Sequence, residues 1–493
     1  MHFKVKKLTA VLTACIISVL TSVSSVNAYE TYSVYNYDRW GEAVPSQAGY
    51  TARKSVTGDD LGAGSFNMPG DIFIDTNGRF YIADTGNSRI VVTDDQLNSA
   101  DSVLDTFTYN SQELTLKNPK GIYVSPDNMI YIADTENSRV LVCDQNCKVK
   151  LILERPQSDL YPENLTFLPQ KVISDRAGYI YVTVANITSG ALMYDKDGNF
   201  EGFYGANRVK KTSQVVMDYF WKLLAPDSMR KYMTDAVPAP VTNFDIDSDG
   251  FIYTCCSSRK QDTDVIKKVN TAGYNLFADY DISFGDYPTP DYSNTPQNSF
   301  VDVDVSDDGL INCLDFTNGR IFQYDEECNL LFVMGSLGNQ TGTFTQVSAV
   351  ESSDSSIYVA DAQKNTITVF DETVFGSYVH KAVRLYNDGY YDEALKPWNE
   401  VLRMDGGYCL ASNGIASALI NKGEYKKAMK YAKAADNQWL YNRAFEGWRT
   451  EFINSNFSAV AAVLAGIILI ISAPVYLKKR KKRLHKSEME EQS

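Results

Sequence analysis

The sequence predicts a mainly β protein, namely a six-bladed β-propeller followed by a small all-α domain and one transmembrane helix. Three observations predict this fold. A nonapeptide repeats at a fixed spacing, an alternating apolar strand recurs along the chain, and a second repeat of helical periodicity precedes a long uncharged segment near the carboxyl terminus. Such repeats indicate structural units that cannot bury their apolar faces alone and pack on their neighbours.

The nonapeptide defines the β repeat. Residues 81–89 read Tyr-Ile-Ala-Asp-Thr-Gly-Asn-Ser-Arg and return at 131–139 with a single substitution. Each copy fits four antiparallel strands joined by short turns, so six blades fit between about residue 60 and residue 375. The four weaker copies begin with the strands at 179–182, 251–254, 310–313 and 356–361.

The last repeat lacks a clear fourth strand, because the pattern becomes helical after Phe370. Residues 31–37 form an alternating strand without a partner at the amino end. We expect this strand to complete the last blade, since closure of the ring removes exposed sheet edges. The propeller domain is therefore expected over residues 29–375.

The repeat residues carry a resemblance. The run Ala-Asp-Thr-Gly-Asn-Ser-Arg-Ile, its second copy and the sequence at 314–321 resemble the NHL-repeat family of β-propellers. The resemblance implies a binding platform, or in a minority of the family a lyase or lactonase. In each of these copies an Asp precedes an Arg by five residues, and we interpret the Asp as capping the loop and the Arg as pairing with it or with the next blade. These residues are Asp84 with Arg89, Asp134 with Arg139, and Asp315 with Arg320.

The two ends of the chain predict a single-pass membrane protein. Residues 1–28 have early lysines, an apolar run and a small-residue cleavage site, which are typical of a secretory signal peptide. Residues 457–477 are predicted to form a transmembrane helix, and the basic tail at 478–493 follows it. Because positive charge marks the cytoplasmic side, we expect the tail inside the cell and the preceding ectodomain outside.

Charge limits the class of partner. Without the signal and the tail, the chain has 37 Lys and Arg against 58 Asp and Glu, a net charge of −21. Such a field disfavours nucleic acid and other polyanions. A protein partner, a peptide or a saccharide solute remains compatible with it.

Seven cysteines follow the signal segment, which is an odd number and too few for a disulfide scaffold of this length. Cys143 and Cys147 flank a predicted hairpin turn, so their spacing permits a local disulfide. The alternative is that they are free thiols.

Residues 376–455 change to helical periodicity. The run Gly389-Tyr-Tyr-Asp-Glu-Ala394 recurs as Gly423-Glu-Tyr-Lys-Lys-Ala428, with the same offset at each matched position. This spacing and pattern resemble the tetratricopeptide repeat, which implies a groove for a peptide or protein. A rigid stalk is the alternative for so short an array. The groove-facing positions of the family pattern are Tyr386, Asn387, Asn413 and Asn421.

A helical insert is predicted at about 209–236, between blades 3 and 4. Phe220, Trp221 and Tyr232 lie on its apolar stripes and are candidates for partner docking, because insertions into rigid scaffolds commonly carry specificity. The alternative is that these helices plug or cap the propeller.

The search for chemistry gives mainly exclusions. Histidine occurs only at positions 2, 380 and 485, so imidazole-based catalysis or zinc binding is excluded from the propeller. In the family that the repeats resemble, the lyases use a histidine-bound metal, which this sequence does not supply. No catalytic residue and no cofactor are predicted. The alternative is a Ca²⁺ site, for which Asp245, Asp247 and Asp249 have the opening spacing of a calcium loop, although a strand turn also fits that position.

We therefore expect a non-catalytic, extracellular, membrane-anchored recognition or scaffold protein that binds a protein partner or a solute. Its architecture resembles surface proteins of Gram-positive bacteria, and a solute-import transporter is a plausible client. The alternative function is a surface enzyme, either a metal-dependent lactonase-like or a glycan-acting propeller.

Overall fold

The computed structural model describes residues 32–38, 40–207, 217, 238–257, 264–279, 283–287, 298–353 and 355–490. The described chain divides into two compact units, one of residues 1–37 and 41–377 and the other of residues 38–40 and 378–493. The first unit contains the β-strands and the second contains most of the helical residues.

The first unit is a six-bladed β-propeller. Its blades are antiparallel sheets of consecutive strands, and the first strands of the six blades contact one another in a closed ring around a central channel. The strands that precede the first blade are β1 (Tyr35–Tyr37), β2 (Ala43–Pro45) and β3 (Tyr50–Thr57). Blade 1 consists of β4 (Pro69–Ile74), β5 (Phe80–Asp84), β6 (Arg89–Thr93) and β7 (Ala100–Leu104). A separate hairpin of β8 (Thr106–Tyr109) and β9 (Gln112–Thr115) follows it.

The other blades follow in chain order. Blade 2 consists of β10 (Pro119–Val124), β11 (Ile130–Asp134), β12 (Arg139–Cys143) and β13 (Val149–Leu153), and blade 3 of β14 (Pro169–Ser174), β15 (Ile180–Val184), β16 (Ala191–Tyr194) and β17 (Phe200–Tyr204). Blade 4 consists of β18 (Asn243–Ile246), β19 (Ile252–Cys255) and β20 (Ile266–Val269), and blade 5 of β21 (Phe300–Val305), β22 (Ile311–Asp315), β23 (Arg320–Tyr324) and β24 (Leu330–Met334). Blade 6 contains β25 (Val347–Ser353), β26 (Ser356–Asp361) and β27 (Thr366–Glu372).

A strand from the amino end closes the ring, but it is not the predicted one. Strand β3 pairs antiparallel with β27, from Thr366 opposite Thr57 to Glu372 opposite Tyr50. The prediction of residues 31–37 is wrong, because β1 is only three residues long and pairs with β2 instead. Charged Arg53 and Lys54 obscure the alternation of β3 in the sequence, although Val56 packs in the core that includes Ile367.

Blade 4 departs from the expected four strands. Among the described residues it has three, and a short 3₁₀ helix at Leu276–Asp279 follows the third. The predicted helical insert at 209–236 lies outside the described residues except for Met217, which is helical and exposed. Its candidates Phe220, Trp221 and Tyr232 therefore stay predictions.

Each blade begins with a strand pair joined by a tight turn. In blade 1 one oxygen of the Asp75 carboxylate accepts hydrogen bonds from the backbone N–H groups of Asn77 and Arg79, both at 2.9 Å. Gly78 lies between them with φ of +80°, a conformation that favours glycine. The Asp-x-x-Gly signal in the sequence is thus a turn signal.

The second unit is built from helices α1 (Val374–Asn387), α2 (Tyr391–Met404), α3 (Cys409–Asn421), α4 (Tyr425–Ala434), α5 (Gln438–Ser455) and α6 (Phe457–Glu490). Helices α2 to α5 pack successively on one another. The helix boundaries repeat with the period of the sequence. The end of α3 follows the end of α1, and the start of α4 follows the start of α2, by the same number of residues that separates Gly389 from Gly423. These two glycines form the intervening turns with φ of +82° and +77°, and Ala394 and Ala428 are fully buried.

Helix α6 contains one segment long and apolar enough to cross a membrane. The segment is Phe457–Lys481; its most apolar stretch of 18 residues has a mean hydropathy of 2.5, and none of that stretch is buried against the described protein. A helix of this length at 1.5 Å per residue exceeds the hydrocarbon thickness of a bilayer, which is about 30 Å.

Candidate functional site

The first strands of the blades present two positions toward the channel, and the strand register identifies them. In every blade the second position follows the first by two residues. From blade 1 to blade 6 the first position holds Asp71, Gly121, Lys171, Asn243, Asp302 and Ala349. The second position holds Phe73, Tyr123, Ile173, Asp245, Asp304 and Glu351.

An ion pair joins two blades that are not neighbours. The Lys171 ammonium of blade 3 lies 2.7 and 2.8 Å from the two carboxylate oxygens of Asp71 in blade 1, and both side chains are buried. Gly121 of the intervening blade permits this approach, since a Cβ atom there would lie 2.7 Å from Lys171 Cα. The pair therefore fills the channel where the blade between its partners has no side chain.

The charge state of this pair follows from its surroundings. Burial opposes the ammonium, but Asp71, Asp302 and Glu351 together raise the pKa of Lys171. Burial also raises the pKa of Asp71, which disfavours its ionised form. We assign an ionised pair nevertheless, because the Asp71 carboxylate receives both contacts from Lys171 as well as backbone hydrogen bonds.

The channel carboxylates hold neighbouring blades together. Four of the five each accept a hydrogen bond from a backbone N–H in the first strand of the next blade. These bonds run from Ile122 to Asp71 (2.8 Å), from Val305 to Asp245 (2.9 Å), from Val350 to Asp302 (2.8 Å) and from Ile74 to Glu351 (3.1 Å). Four of the six blade junctions therefore use a carboxylate as an inter-blade clasp.

Asp304 also joins two blades, through a side-chain donor from the next blade. Its Oδ2 accepts hydrogen bonds from the Ser352 hydroxyl of blade 6 at 2.6 Å and from Asn312 Nδ2 at 2.8 Å. Gln323 donates to Asn312 Oδ1 at 3.0 Å and to the Tyr50 hydroxyl at 3.1 Å. This buried network connects blade 5, blade 6 and the closing strand β3.

Burial changes the acidity of the carboxylates. It raises the pKa of Asp304 to about 7 and that of Asp245 to about 6, and in both cases a neighbouring carboxylate adds to the effect. Burial also raises the pKa of Asp302 and Glu351 well above their ordinary values, although Lys171 opposes the shift. Among the described channel residues there are one lysine and five acids, and burial shifts all five acids toward their protonated forms.

The repeat aspartates lie elsewhere, at the ends of the second strands, where the loop to the third strand begins. Asp84 accepts hydrogen bonds from the Asn67 backbone N–H at 2.7 Å and from Asn87 Nδ2 at 2.8 Å, and it pairs with Arg89 at 2.7 Å. The same geometry recurs one blade later around Asp134: the corresponding partners there are Lys117, Asn137 and Arg139. Through these hydrogen bonds each loop is held against the segment that precedes the first strand of its blade.

Blade 5 varies this arrangement. Asp315 accepts hydrogen bonds from the backbone N–H of Ser299 and from the Asn318 amide, while Arg320 pairs with Asp286 at 2.7 Å. Asp286 also accepts hydrogen bonds from the hydroxyls of Tyr35 and Tyr37 in strand β1. Arg320 therefore helps to hold the amino-terminal segment rather than its own loop.

The sequence did not single out Asp361, which has the same role in blade 6. Its carboxylate accepts hydrogen bonds from the backbone N–H groups of Thr345, Gln346, Gln363 and Lys364. Backbone donors replace the arginine of the other blades, so the Asp-to-Arg spacing that revealed Asp84 is missing here.

The three aspartates of the expected calcium loop have separate roles. Asp245 is a channel clasp, and one Asp247 oxygen accepts hydrogen bonds from the N–H groups of Asp249 and Phe251 within a strand turn. Asp249 is exposed. No group of three or more metal-binding side chains converges among the described residues, so the turn interpretation fits this segment and the three side chains do not form a shared site.

Cys143 and Cys147, whose spacing permits a disulfide, are free thiols in the structure. Cys143 lies at the end of β12 and its side chain is packed in a core with Val149 and Leu141. Cys147 lies in the turn with φ of +58°. Burial raises the pKa of both thiols, so neither is activated for reaction.

The predicted groove residues have mixed exposure. Asn387 and Asn421 are exposed at the ends of α1 and α3, whereas Tyr386 and Asn413 are half-buried. The Tyr386 ring contacts Tyr391 with a centroid distance of 5.1 Å, and Asn413 Oδ1 accepts a hydrogen bond from Asn437 at 3.2 Å. The two asparagines at the helix ends therefore have the most accessible side chains of the four.

The comparisons with known proteins agree with the blade pattern. The NHL repeat model matches residues 66–92 and 116–143. The first range covers the first three strands of blade 1 except for the last residue of the third strand, and the second range covers the first three strands of blade 2. The chain carries NHL repeats. No curated protein matches this chain.

Several solved structures are similar to the NHL-repeat propeller at low identity. Virginiamycin B lyase from Staphylococcus aureus has 9% identity and a TM-score of 0.40, covering 66% of this chain and 100% of that chain. The propeller domain of Cps50 (Swd1) from Myceliophteria thermophila has 9% identity and a TM-score of 0.40, covering 63% and 98%. A structural-genomics protein from Bacteroides thetaiotaomicron has 11% identity and a TM-score of 0.41, covering 67% and 84%.

Proposed function

We propose that this protein is a membrane-anchored, non-catalytic recognition or scaffold protein whose propeller and helical repeats lie outside the cell. The proposal rests on the contacts that the channel carboxylates make. Its carboxylates, the residues that a propeller without histidine would use for chemistry, hold adjacent blades together through hydrogen bonds to backbone N–H groups. They stabilise a rigid frame, so recognition is assigned to the loops, the insert and the helices.

The orientation in the membrane is part of the proposal. Helix α6 supplies the span, and six consecutive basic residues at 478–483 follow its apolar part. The positive-inside rule then places the short tail in the cytoplasm and the larger unit outside. Protease added to intact cells should remove the propeller and leave a small membrane-bound fragment; full protection of the propeller would contradict this orientation.

The proposed partner is a protein, and a solute-import transporter is the client we favour; a peptide or saccharide solute is the alternative ligand. The shared period of the sequence and the helix boundaries supports a tetratricopeptide-like docking surface, with Asn387 and Asn421 exposed at equivalent positions. The insert at 209–236 is the second candidate docking element. The architecture as a whole is proposed to be of the Gram-positive surface type.

The test is mild crosslinking of the full-length protein in its own cells, followed by mass spectrometry of what is recovered with it. We expect transporter subunits with the wild type and their loss after deletion of 209–236 or after the double change Asn387→Ala and Asn421→Ala. The control is Asn442→Ala, an exposed asparagine on α5. Recovery of the protein alone from all four would contradict a stable scaffold.

A second candidate function is a metal-dependent surface enzyme, because the described channel residues include five acids for one lysine. Metal analysis of the purified full-length protein distinguishes it from the scaffold. Stoichiometric Ca²⁺ or Zn²⁺ that is lost in the double variant Asp304→Asn and Glu351→Gln would favour the enzyme, whereas the scaffold proposal expects substoichiometric metal in both.

A further inference from the structure

Helix α5 has an aromatic stripe whose side chains are half-buried or exposed. Tyr441, Phe445, Trp448 and Phe452 recur at the spacing i, i+4, i+7, i+11, so they share one side of the helix. The rings of the last three contact one another in tilted pairs, with centroid distances of 5.6 Å between Phe445 and Trp448 and 5.7 Å between Trp448 and Phe452. We call these four residues the aromatic stripe.

The stripe differs from the face that packs α5 in the unit. Leu440 and Ala444 are buried, and Gly447 lies directly against the Tyr425 ring of α4. By contrast, Phe445 is 40% exposed and Phe452 is 49% exposed. Large aromatic side chains left in contact with water on one helix side indicate a surface that binds something apolar.

A row of lysines lies beside the stripe. Lys426, Lys430 and Lys433 share one exposed side of α4 at the spacing i, i+4, i+7. Lys426 Nζ lies 5.9 Å from the centroid of the Trp448 ring, which places the row next to the stripe. In the part of the chain that the structure describes, these three lysines form no ion pair, unlike Lys427, which pairs with Glu424.

The charge of this hairpin is opposite to that of the rest of the ectodomain. Residues 425–455 contain six Lys and Arg against three Asp and Glu, a net charge of +3, while the chain without signal and tail has a net charge of −21. A local basic surface with adjacent aromatic rings is complementary to an anionic phospholipid surface, because lysines attract the headgroups and Trp, Tyr and Phe occupy the headgroup boundary.

Chain connectivity favours the membrane as the occupant. Helix α5 ends at Ser455 and the apolar segment begins at Phe457. Phe452 is thus five residues, or about 8 Å of helix, from the start of the span. The headgroup region on each side of the hydrocarbon core is of similar thickness, about 5 to 8 Å, so the end of the stripe is within its reach.

We propose that the α4–α5 hairpin is a second membrane contact, which binds anionic phospholipid headgroups through Lys426, Lys430 and Lys433 and inserts the aromatic stripe into the headgroup boundary. The contact fixes the orientation of the helical unit on the lipid surface, which a single spanning helix does not do. It rests on α6 being the membrane anchor, as in the proposed function.

The experiment measures the membrane depth of spin labels on the full-length protein in vesicles of phosphatidylcholine, with or without phosphatidylglycerol. The background replaces Cys15, Cys147 and Cys409 by Ser, since the last two are the half-buried thiols of the described chain. Labels are placed by Phe445→Cys and Phe452→Cys on the stripe, by Asn442→Cys and Thr450→Cys as water-exposed controls on α5, and by Ile468→Cys in the apolar segment.

We expect stripe labels that are accessible to oxygen and shielded from a water-soluble nickel reagent in vesicles containing phosphatidylglycerol, while the control labels stay accessible to nickel. Changing Lys426, Lys430 and Lys433 to Gln together should abolish the shielding. Stripe labels as accessible to nickel as the control labels would overturn the proposal. Strong spin–spin broadening between copies at the stripe would also overturn it, because a second copy of the chain would then cover the stripe.

The Ile468 label separates this proposal from the anchor on which it depends. A lipid-exposed label at 468 with water-exposed stripe labels refutes the second contact alone. A water-exposed label at 468 refutes the anchor, and the second contact with it.

Discussion

The two halves of the propeller channel use different side chains at the same structural position. In blades 1 to 3 the second channel position holds Phe73, Tyr123 and Ile173, whereas in blades 4 to 6 it holds Asp245, Asp304 and Glu351. The aromatic half uses ring packing, with Phe73 and Tyr123 at a centroid distance of 5.0 Å, and a hydrogen bond from the Tyr123 hydroxyl to the Ser174 carbonyl at 3.0 Å. The acidic half uses carboxylate clasps.

The hydrogen bond from Tyr123 to Ser174 joins blades 2 and 3 without a charged group. At the second channel position, only the acidic half has carboxylates; the buried pair of Asp71 and Lys171 in the other half belongs to the first position. The contribution of the second position to stability should therefore depend on pH in the acidic half and not in the aromatic half. Among the described residues, Lys171 supplies the compensating positive charge within hydrogen-bond reach of Asp71.

The change Lys171→Met should have the largest effect on the stability of the propeller. It leaves Asp71 buried without its partner and removes the positive charge that faces Asp302 and Glu351, so we expect a loss of about 3 to 5 kcal/mol in the free energy of unfolding. Denaturant unfolding of the full-length protein in detergent, followed by hydrogen exchange of the first-strand peptides, measures it. The double variant Lys171→Met with Asp71→Asn should recover much of the loss, and it serves as the comparison if the single variant does not accumulate. A loss below about 0.5 kcal/mol in the single variant would contradict the ionised pair.

The pH dependence of stability should distinguish the acidic half of the channel from the aromatic half. The raised pKa of Asp304, about 7, means that the folded protein holds a proton that the unfolded chain has released above about pH 4. Its contribution to stability is therefore present at low pH and is lost as the pH rises through about 4 to 7. We expect Asp304→Asn to stabilise the protein relative to wild type by about 2 to 4 kcal/mol more at pH 8 than at pH 5.

The control for this measurement is Asp197→Asn, an exposed turn residue paired with Lys196 only at 3.6 Å. Its difference from wild type should be the same at both pH values. Asp304→Asn behaving in the same way would show that Asp304 is ionised throughout this range.

The change Tyr123→Phe should have a smaller effect that does not depend on pH. It removes one buried hydroxyl and its hydrogen bond to Ser174 while the ring packing is kept, so we expect a loss of about 1 kcal/mol. The same unfolding measurement at pH 5 and pH 8 checks both the size and the constancy. A loss that changes with pH would show that the two halves are electrostatically coupled.

The smallest effect is expected outside the channel, for Arg89→Gln. Asp84 keeps its hydrogen bonds from Asn67 and Asn87, and the arginine is partly exposed, so the loss should be about 0.5 to 1 kcal/mol. Arg139→Gln in blade 2 should give a similar or smaller loss, since Arg139 has the same aspartate contact but donates to one backbone carbonyl where Arg89 donates to three. A loss as large as that of Lys171→Met would place the main electrostatic contribution in the loops rather than in the channel.

The sequence predicted the features that repeat and missed those that do not. The six blades and Asp84 with Arg89 were visible because the same residues recur at a fixed spacing. The closing strand β3 was missed because Arg53 and Lys54 interrupt its apolar alternation, while the shorter β1 has a cleaner pattern. In blade 4, the described residues form three strands, and no local signal in the sequence indicated fewer than four.

The channel was missed for a different reason. Asp71, Gly121 and Lys171 occupy one structural position at a constant spacing, yet they are three unrelated residue types. Aligning the blades on their second strands brings these residues to one column, and opposite charges in one column of a closed ring indicate a contact across the channel. The direction of the pKa shifts, however, depends on burial, which no sequence pattern supplied.

The most direct test of the central claim, that the channel carboxylates are inter-blade clasps, is hydrogen exchange over Val347–Ser353 in full-length wild type, Asp302→Ala and Asp302→Asn. Asp302 accepts a hydrogen bond from the Val350 N–H of that strand. We predict that Asp302→Ala speeds exchange there by roughly five- to tenfold, the effect of losing a hydrogen bond of about 1 kcal/mol, whereas Asp302→Asn retains an acceptor and most of the protection. Unchanged exchange in Asp302→Ala would contradict the clasp and return these acids to the list of groups available for chemistry.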